Sequence, residues 1–230
     1  GSNPFFAVAV GKEAREQELR TAAPADMERT LRAGDVLGIR GNYYVDTALV
    51  LKAERDSYQP NDLLSRDLYS RLRSRLGRRL RLPVMIALSD LELKADSSNQ
   101  YGLGFILRKD AKVICAPVLN KPGQFNTEDV NQETGLPDKT GRKGGRILFT
   151  RESALSRLSL NRSLSLNAYW DDLANSDETG RVALCGEAAR KNFDGLLDNY
   201  VQKLGRERDE ELRGINQRFK EALSHLKGNK

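Results

Sequence analysis

The segment between Pro60 and Pro83 constrains the fold of this chain more than any other part of the sequence. Leucine recurs there at every fourth position, at Leu64, Leu68, Leu72, Leu76 and Leu80. Side chains four residues apart lie on one face of an α-helix, so the spacing predicts a helix over residues 61–80. Asn61 or Asp62 is its expected N-cap, and Pro83 forbids its continuation. The fold has to bury this leucine stripe.

Short β-rich runs make up most of the remaining sequence. The turn signal Gly41-Asn42 predicts a hairpin between residues 36–40 and 43–51. A second hairpin is expected between residues 101–107 and 112–118, joined at Lys109-Asp110. Further strands are predicted over residues 5–10, 84–88, 146–150, 153–168 and 181–185.

Two other segments have a different character. Residues 120–146 are rich in Asn, Gly, Asp and Lys, have few apolar residues spaced to pack, and are expected to form a long, mobile polar loop. From residue 187 onward the pattern is helical. Its second apolar stripe consists of Leu212, Ile215, Phe219, Leu223 and Leu226.

Together these patterns predict an α+β fold. A mainly antiparallel sheet of short strands packs on the Arg- and Leu-rich helix, because helices and strands alternate too irregularly for a doubly wound parallel sheet. We expect one globular domain over residues 5–186 and a C-terminal helical extension over residues 187–228.

Composition excludes several classes of protein. The chain has 230 residues and is 39% hydrophobic, which is too apolar for a wholly disordered chain. No apolar run approaches the ~20 residues that span a bilayer, so we expect no membrane insertion. Two cysteines cannot supply a disulfide framework or a four-cysteine zinc site, and a single histidine excludes catalytic sites that need several imidazoles. We predict no metal and no cofactor, and a reducing, cytoplasmic location.

The first candidate site is the predicted helix itself, because residues 64–82 contain seven arginines and one acid. Arginine donates bidentate hydrogen bonds to phosphate oxygens, and a row of arginines is typical of nucleic-acid contact. The candidate contacts are Arg66, Arg71, Arg73, Arg75, Arg78 and Arg79. The alternative is a solvated helix face whose arginines pair with acids elsewhere.

A basic, glycine-rich segment before the 146–150 strand is the second candidate, with Lys139, Arg142, Lys143 and Arg146 as its cations. It is not a nucleotide-binding P-loop, because no Gly-Lys-Ser/Thr follows and a strand comes next where a helix should. We expect these four cations to form one exposed positive face with the arginines of the helix. Ordinary surface is the alternative.

The third candidate consists of Asp90, Glu92 and Lys94, which would share one face of a strand. Two carboxylates that hold Mg²⁺ and a lysine beside the scissile phosphate resemble the Glu-x-Lys core of restriction-type nucleases. The upstream Asp of that pattern lacks a match, because Asp62 and Asp67 fall in the predicted helix. Alternating polar residues on an exposed strand are the simpler interpretation.

Three classes of function remain open. The leading hypothesis is a non-enzymatic protein that binds DNA or RNA through the arginine-rich helix and the basic loop. The second is an assembly or adaptor protein that docks a partner, or another copy of itself, through the stripe at residues 212–226. The third is a Mg²⁺-dependent nuclease that uses Asp90, Glu92 and Lys94.

Overall fold

The computed structural model of the chain describes residues 1–53, 58–186 and 213–214. Two units are distinguished along the sequence, Gly1–Cys185 and Gly186–Lys230. The predicted helical extension over residues 187–228 lies outside the described residues apart from 213 and 214. The same holds for all five residues of its stripe, Leu212, Ile215, Phe219, Leu223 and Leu226.

Three α-helices and twelve strands form within the described ranges. The helices are α1 (Pro4–Ala14), α2 (Pro24–Arg32) and α3 (Asp62–Leu76). The first six strands are β1 (Leu19–Thr21), β2 (Tyr44–Leu51), β3 (Val84–Ala87), β4 (Leu91–Ala95), β5 (Leu103–Leu107) and β6 (Val113–Cys115). The other six are β7 (Gly123–Phe125), β8 (Arg146–Thr150), β9 (Leu155–Leu160), β10 (Leu166–Ala168), β11 (Gly180–Arg181) and β12 (Leu184–Gly186).

The main sheet is mostly antiparallel, as the sequence predicts. Its strand order is β6-β3-β2-β9-β10-β8-β7, and β11 pairs with the start of β2. Only the β10–β8 and β11–β2 pairs are parallel among those described for this sheet. Strands β4 and β5 form a separate antiparallel pair, and β1 pairs with β12.

Both faces of the central strand β2 are buried, because successive side chains point to opposite faces of a sheet. Leu49 and Leu51 pack with apolar residues of α1, α3 and β5. Ala48 and Val50 pack on the other side, with residues of α2 and of the segment between β6 and β8. Apolar cover on both faces explains why β2 reads as a nearly continuous apolar run.

Helix α3 confirms the prediction from the leucine spacing. Leu64, Leu68 and Leu72 are each 2% exposed or less and pack against the Leu49 face of the sheet. The helix ends at Leu76, because Gly77 has a φ of 56° and so leaves the right-handed helical region. Leu80, predicted as the last helical leucine, follows a short 3₁₀ turn and is partly buried in the same cluster.

Residues 5–10 form a helix, and the predicted strand there is wrong. The side chain of Asn3 accepts a hydrogen bond from the backbone N–H of Phe6, and Pro4 occupies the first helical position. Both features favour helix initiation. A short apolar run has no period that separates a buried helix from a buried strand, so the capping residues decide.

The first predicted hairpin is also wrong, although β2 itself is where we expect it. Residues 36–40 form turns, because the carboxylate of Asp35 accepts hydrogen bonds from the backbone N–H groups of Ile39 and Arg40. These local bonds compete with strand pairing. Strand β2 pairs instead with β3 and β9, both antiparallel.

The second predicted hairpin has the right strands with the wrong partners. Strand β5 pairs with β4, and β6 pairs with β3. Two hydrogen bonds tie the turn between β5 and β6 to Asp90. The backbone oxygen of Asp90 accepts from the N–H of Arg108, and its carboxylate accepts from the N–H of Lys112. The turn between β5 and β6 is therefore attached to the residue that precedes β4.

The segment 120–146 is more ordered than its composition suggests. It contains β7, which pairs with β8, and Phe125, Val130 and Leu136 are each buried in the main core. The segment has few apolar residues, as expected, but these three are widely spaced along it and pack it against the main core.

Candidate nucleic-acid interface

The arginines of α3 are divided between two flanks of the helix. Arg71 and Arg75 line a cleft beside the end of β5. Arg66 and Arg73 of α3 lie outside that cleft and are exposed, as are Arg78 and Arg79, which follow the helix in a 3₁₀ turn. The helix therefore offers one flank that faces other parts of the chain and one that faces outward.

We call the cleft between α3 and the end of β5 the basic groove. It is open and shallow, with a volume of about 660 Å³. Helix α3 contributes Asp67, Ser70, Arg71, Ser74 and Arg75. The opposite wall consists of Ile106, Leu107, Arg108 and Lys109. Four cations and two hydroxyls against one acid make this lining suitable for an anion with several oxygens.

Arg75 fixes the position of one wall relative to the other. Its Nη1 donates to the carbonyl oxygen of Arg108 at 2.8 Å, and its Nη2 donates to those of Lys109 and Ala111, both at 2.9 Å. Three of its five N–H groups are thus used within the protein. Arg75 adds positive charge to the groove and also holds the turn after β5 against the helix.

Asp67, the one acid among the described residues that line the groove, is already paired. Arg71 donates to its Oδ2 through Nε at 3.0 Å, and Lys94 Nζ lies 3.0 Å from the same oxygen. Burial alone would raise the pKa of Asp67, but the hydrogen bonds from Arg71 and Lys94 outweigh it and hold that pKa below its usual value. Asp67 therefore stays ionised and orients Arg71, whose terminal nitrogens are not engaged in this bond.

Arg108 and Lys109 belong to the groove, and the sequence reasoning missed both as binding residues. Arg108 lies near Glu92 Oε1, at 3.4 Å, and near Asp110 Oδ1, at 3.3 Å. Lys109 is exposed. The sequence does show two cations directly after strand β5. Their position beside α3, however, depends on the pairing of β5 with β4, which the sequence did not predict.

Arg146 does not belong to an exposed interface, which corrects its assignment. The side chain is 6% exposed, and its Nη1 and Nη2 donate to the two carboxylate oxygens of Glu28 at 2.7 and 2.6 Å. Its Nε donates to the carbonyl oxygen of Leu164, and the guanidinium lies 4.8 Å from the ring centre of Phe125. These partners engage the guanidinium inside the protein, away from any phosphate at the surface.

The other cations of the basic loop, Lys139, Arg142 and Lys143, are exposed. They lie next to β7, since Gly141 and Gln124 exchange two backbone hydrogen bonds. A Cβ on Gly144 would come within 2.6 Å of the Phe125 backbone, so that glycine allows the loop to approach β7. This glycine serves chain packing rather than a phosphate cradle.

The structure does not bring Asp90, Glu92 and Lys94 together as a metal-binding face. Strand β4 begins only at Leu91, and Asp90 lies in a 3₁₀ turn where its carboxylate accepts from the N–H of Lys112. Burial raises the pKa of Asp90 despite that hydrogen bond. Glu92 lies near Arg15 and Arg108, whereas Lys94 pairs with Asp67 and Asp96.

Within residues 1–53, 58–186 and 213–214, no group of three or more His, Cys, Asp or Glu side chains is arranged to hold a metal ion. The same part of the chain contains no helix long and apolar enough to cross a bilayer. Comparison of the chain with protein-family models, with curated proteins and with solved structures gave no match.

Proposed function

We propose that this protein binds nucleic acid without cleaving it, and that the basic groove holds the phosphate backbone. The observation that carries the proposal is the lining of the groove, which combines the cations Arg71, Arg75, Arg108 and Lys109 with the hydroxyl-bearing residues Ser70 and Ser74. Guanidinium, ammonium and hydroxyl groups are the side-chain donors that proteins most often direct at phosphate oxygens.

The charge balance of the surroundings supports the same choice. Among the described residues Asp67 is the one acid of the lining and pairs with Arg71 and Lys94. Glu92 and Asp110 pair with Arg108, so these carboxylates oppose an approaching phosphate less than free ones would. The stretch that follows α3 adds the exposed cations Arg78, Arg79 and Arg81. The chain as a whole carries a formal net charge of +6, which favours approach to a polyanion.

Charge reversal tests the proposal most directly. Lys109→Glu changes an exposed cation of the groove, and Lys143→Glu makes the same change in the basic loop. We expect Lys109→Glu to weaken binding of a fluorescein-labelled oligonucleotide about tenfold, because a phosphate contact is replaced by repulsion. Fluorescence anisotropy at about 50 mM and about 200 mM salt measures the affinity and its salt dependence.

The matched variant Lys143→Glu should change affinity far less. A loss confined to Lys143→Glu would place binding at the loop and overturn the assignment to the groove. If the unaltered protein binds neither DNA nor RNA at low salt, the proposed function itself is wrong. Mg²⁺-dependent shortening of the oligonucleotide would contradict the non-enzymatic part of the proposal.

A further inference from the structure

We infer that Lys94 is a positioning residue for the basic groove, because it holds Asp67 so that Arg71 keeps its terminal nitrogens for phosphate. This inference rests on the proposed function and gives a role in it to a side chain outside the groove lining. Two observations carry it. Lys94 and Arg71 share one carboxylate oxygen of Asp67, and Lys94 reaches that oxygen by a path across strand β5.

The path of Lys94 depends on Gly104. The two residues are paired across β4 and β5, and Lys94 Nζ lies 3.0 Å from Asp67 Oδ2 on α3. A Cβ on Gly104 would lie 2.7 Å from Lys94 Cε, which is closer than van der Waals contact allows. The φ of Gly104 is not positive, so its backbone does not require glycine, whereas the passage of Lys94 does.

The shared oxygen determines how Asp67 binds Arg71. A carboxylate frequently takes two N–H groups of one guanidinium side by side. Here Arg71 donates to Oδ2 through Nε alone, at 3.0 Å, and Lys94 occupies the same oxygen. Among the described residues, Nη1 and Nη2 of Arg71 have no hydrogen-bond partner. Lys94 thereby leaves both terminal nitrogens to a phosphate oxygen.

A second carboxylate makes Lys94 unsuited to direct phosphate contact. Its Nζ also lies 3.5 Å from Asp96 Oδ2, and the other oxygen of Asp96 accepts from the N–H and the hydroxyl of Ser98. The ammonium group is therefore held between two carboxylates, one of them fixed by a turn. Its charge is compensated within the protein, so Lys94 acts on the groove through Asp67.

Two variants test this role in different ways. Lys94→Met removes the ammonium group, whereas Gly104→Ala keeps every charge and displaces Lys94 by its Cβ. Each should weaken binding of a fluorescein-labelled oligonucleotide about fivefold, which is the effect of one lost hydrogen bond. Lys121→Met removes an exposed lysine outside the groove lining and is the matched control. Circular dichroism verifies that all three variants are folded.

The same comparison in an Asp67→Asn background separates positioning from direct contact. Lys94→Met should have almost no further effect there, because the carboxylate through which Lys94 acts is gone. An equal loss of affinity in both backgrounds would show that Lys94 contacts the nucleic acid itself and would overturn the inference. So would variants of Lys94 and Gly104 that bind as well as Lys121→Met.

An NMR titration of the Asp67 carboxyl carbon tests the placement of Lys94 without nucleic acid. The hydrogen bonds from Arg71 and Lys94 hold the pKa of Asp67 below its usual value, so Lys94→Met and Gly104→Ala should both raise it. An unchanged pKa would refute the placement of Lys94. If the unaltered protein binds neither DNA nor RNA, the proposed function is wrong, and the role of Lys94 in binding is wrong with it.

Discussion

Arg146 and Glu28 form a bidentate ion pair in the interior, although 118 positions separate them in the sequence. The pair joins α2 to the first residue of β8. Removal of one partner leaves a buried charge without compensation, whereas each partner is satisfied in the intact pair.

We therefore expect Glu28→Gln to reduce the free energy of unfolding by about 3 to 5 kcal/mol. Urea unfolding measures this as a lower midpoint with an unchanged slope. Glu133→Gln makes the same change at an exposed position and should stay within about 0.5 kcal/mol of the unaltered protein. Equal stability of the two variants would contradict the buried pair.

Asp46 gives the protein a pH-dependent stability. Burial raises its pKa from 3.8 to about 7, even though Arg157 Nη1 lies 3.5 Å from Oδ2 and lowers it in part. Because the folded state holds the proton more tightly than the unfolded chain, this contribution to stability is complete below about pH 4. It is lost as the pH rises through about 7.

Compared with Asp46→Asn, which cannot ionise, the unaltered protein should therefore lose on the order of 1 to 4 kcal/mol between pH 4 and pH 7. Chemical denaturation of both proteins across this range measures the difference. Asp177 and Tyr44 also lie near this carboxyl group and are present in both proteins, so their effects largely cancel. A difference that does not change with pH would refute the raised pKa.

The packing of α3 against the sheet can be tested with two leucines of the same helix. Leu72 is fully buried, whereas Leu63 is 47% exposed. Leu72→Ala should cost about 2 to 5 kcal/mol, because it removes buried methyl groups and leaves a cavity. Leu63→Ala should change stability by less than about 1 kcal/mol. Thermal or urea unfolding measures both changes in the free energy of unfolding. Similar decreases for the two variants would show that the helix packs on the sheet through a different face.

Arg75 should act on the turn after β5 more than on the helix. Arg75→Gln removes the donors to the carbonyl oxygens of residues 108, 109 and 111, so amide hydrogens of residues 108–112 should exchange faster. Arg75→Lys keeps the charge but not the planar fork of donors, and it should show the same faster exchange. Arg78→Gln, at an exposed position, is the control. Unchanged exchange in the first two variants would mean that other contacts hold the turn.

Local signals in the sequence were sufficient for α3 and for most of the individual strands. The leucine period and the flanking prolines Pro60 and Pro83 predict a helix over residues 61–80, and Gly77, a local signal that the prediction did not use, ends it at Leu76. Strand partners depend on contacts between distant residues. Strand β5 pairs with β4, and β6 pairs with β3, rather than β5 with β6. The turn between β5 and β6 is held by hydrogen bonds to Asp90, and the alternation of apolar and polar residues does not reveal such bonds.

The candidate site was predictable only in part, for the same reason. The sequence singled out the arginines of the helix as candidate contacts; of these, Arg71 and Arg75 line the groove, whereas Arg66, Arg73, Arg78 and Arg79 do not. Arg108 and Lys109 come from the other wall, which the wrong second hairpin would have placed elsewhere. Arg146 had the same local composition as its exposed neighbours, and only its distant partner Glu28 shows why it is buried.

The position of the basic loop has a consequence for the behaviour of the protein at high concentration. Strand β7 is the last strand in the described order of the main sheet, and strands in that position can pair with other chains and start aggregation. Gly141 uses the backbone groups of Gln124 that such a pairing would need. Lys139, Arg142 and Lys143 are exposed in the loop that contains Gly141, and cations beside a strand edge disfavour pairing with a second copy. We therefore expect this loop to disfavour edge-to-edge pairing of two chains at high concentration.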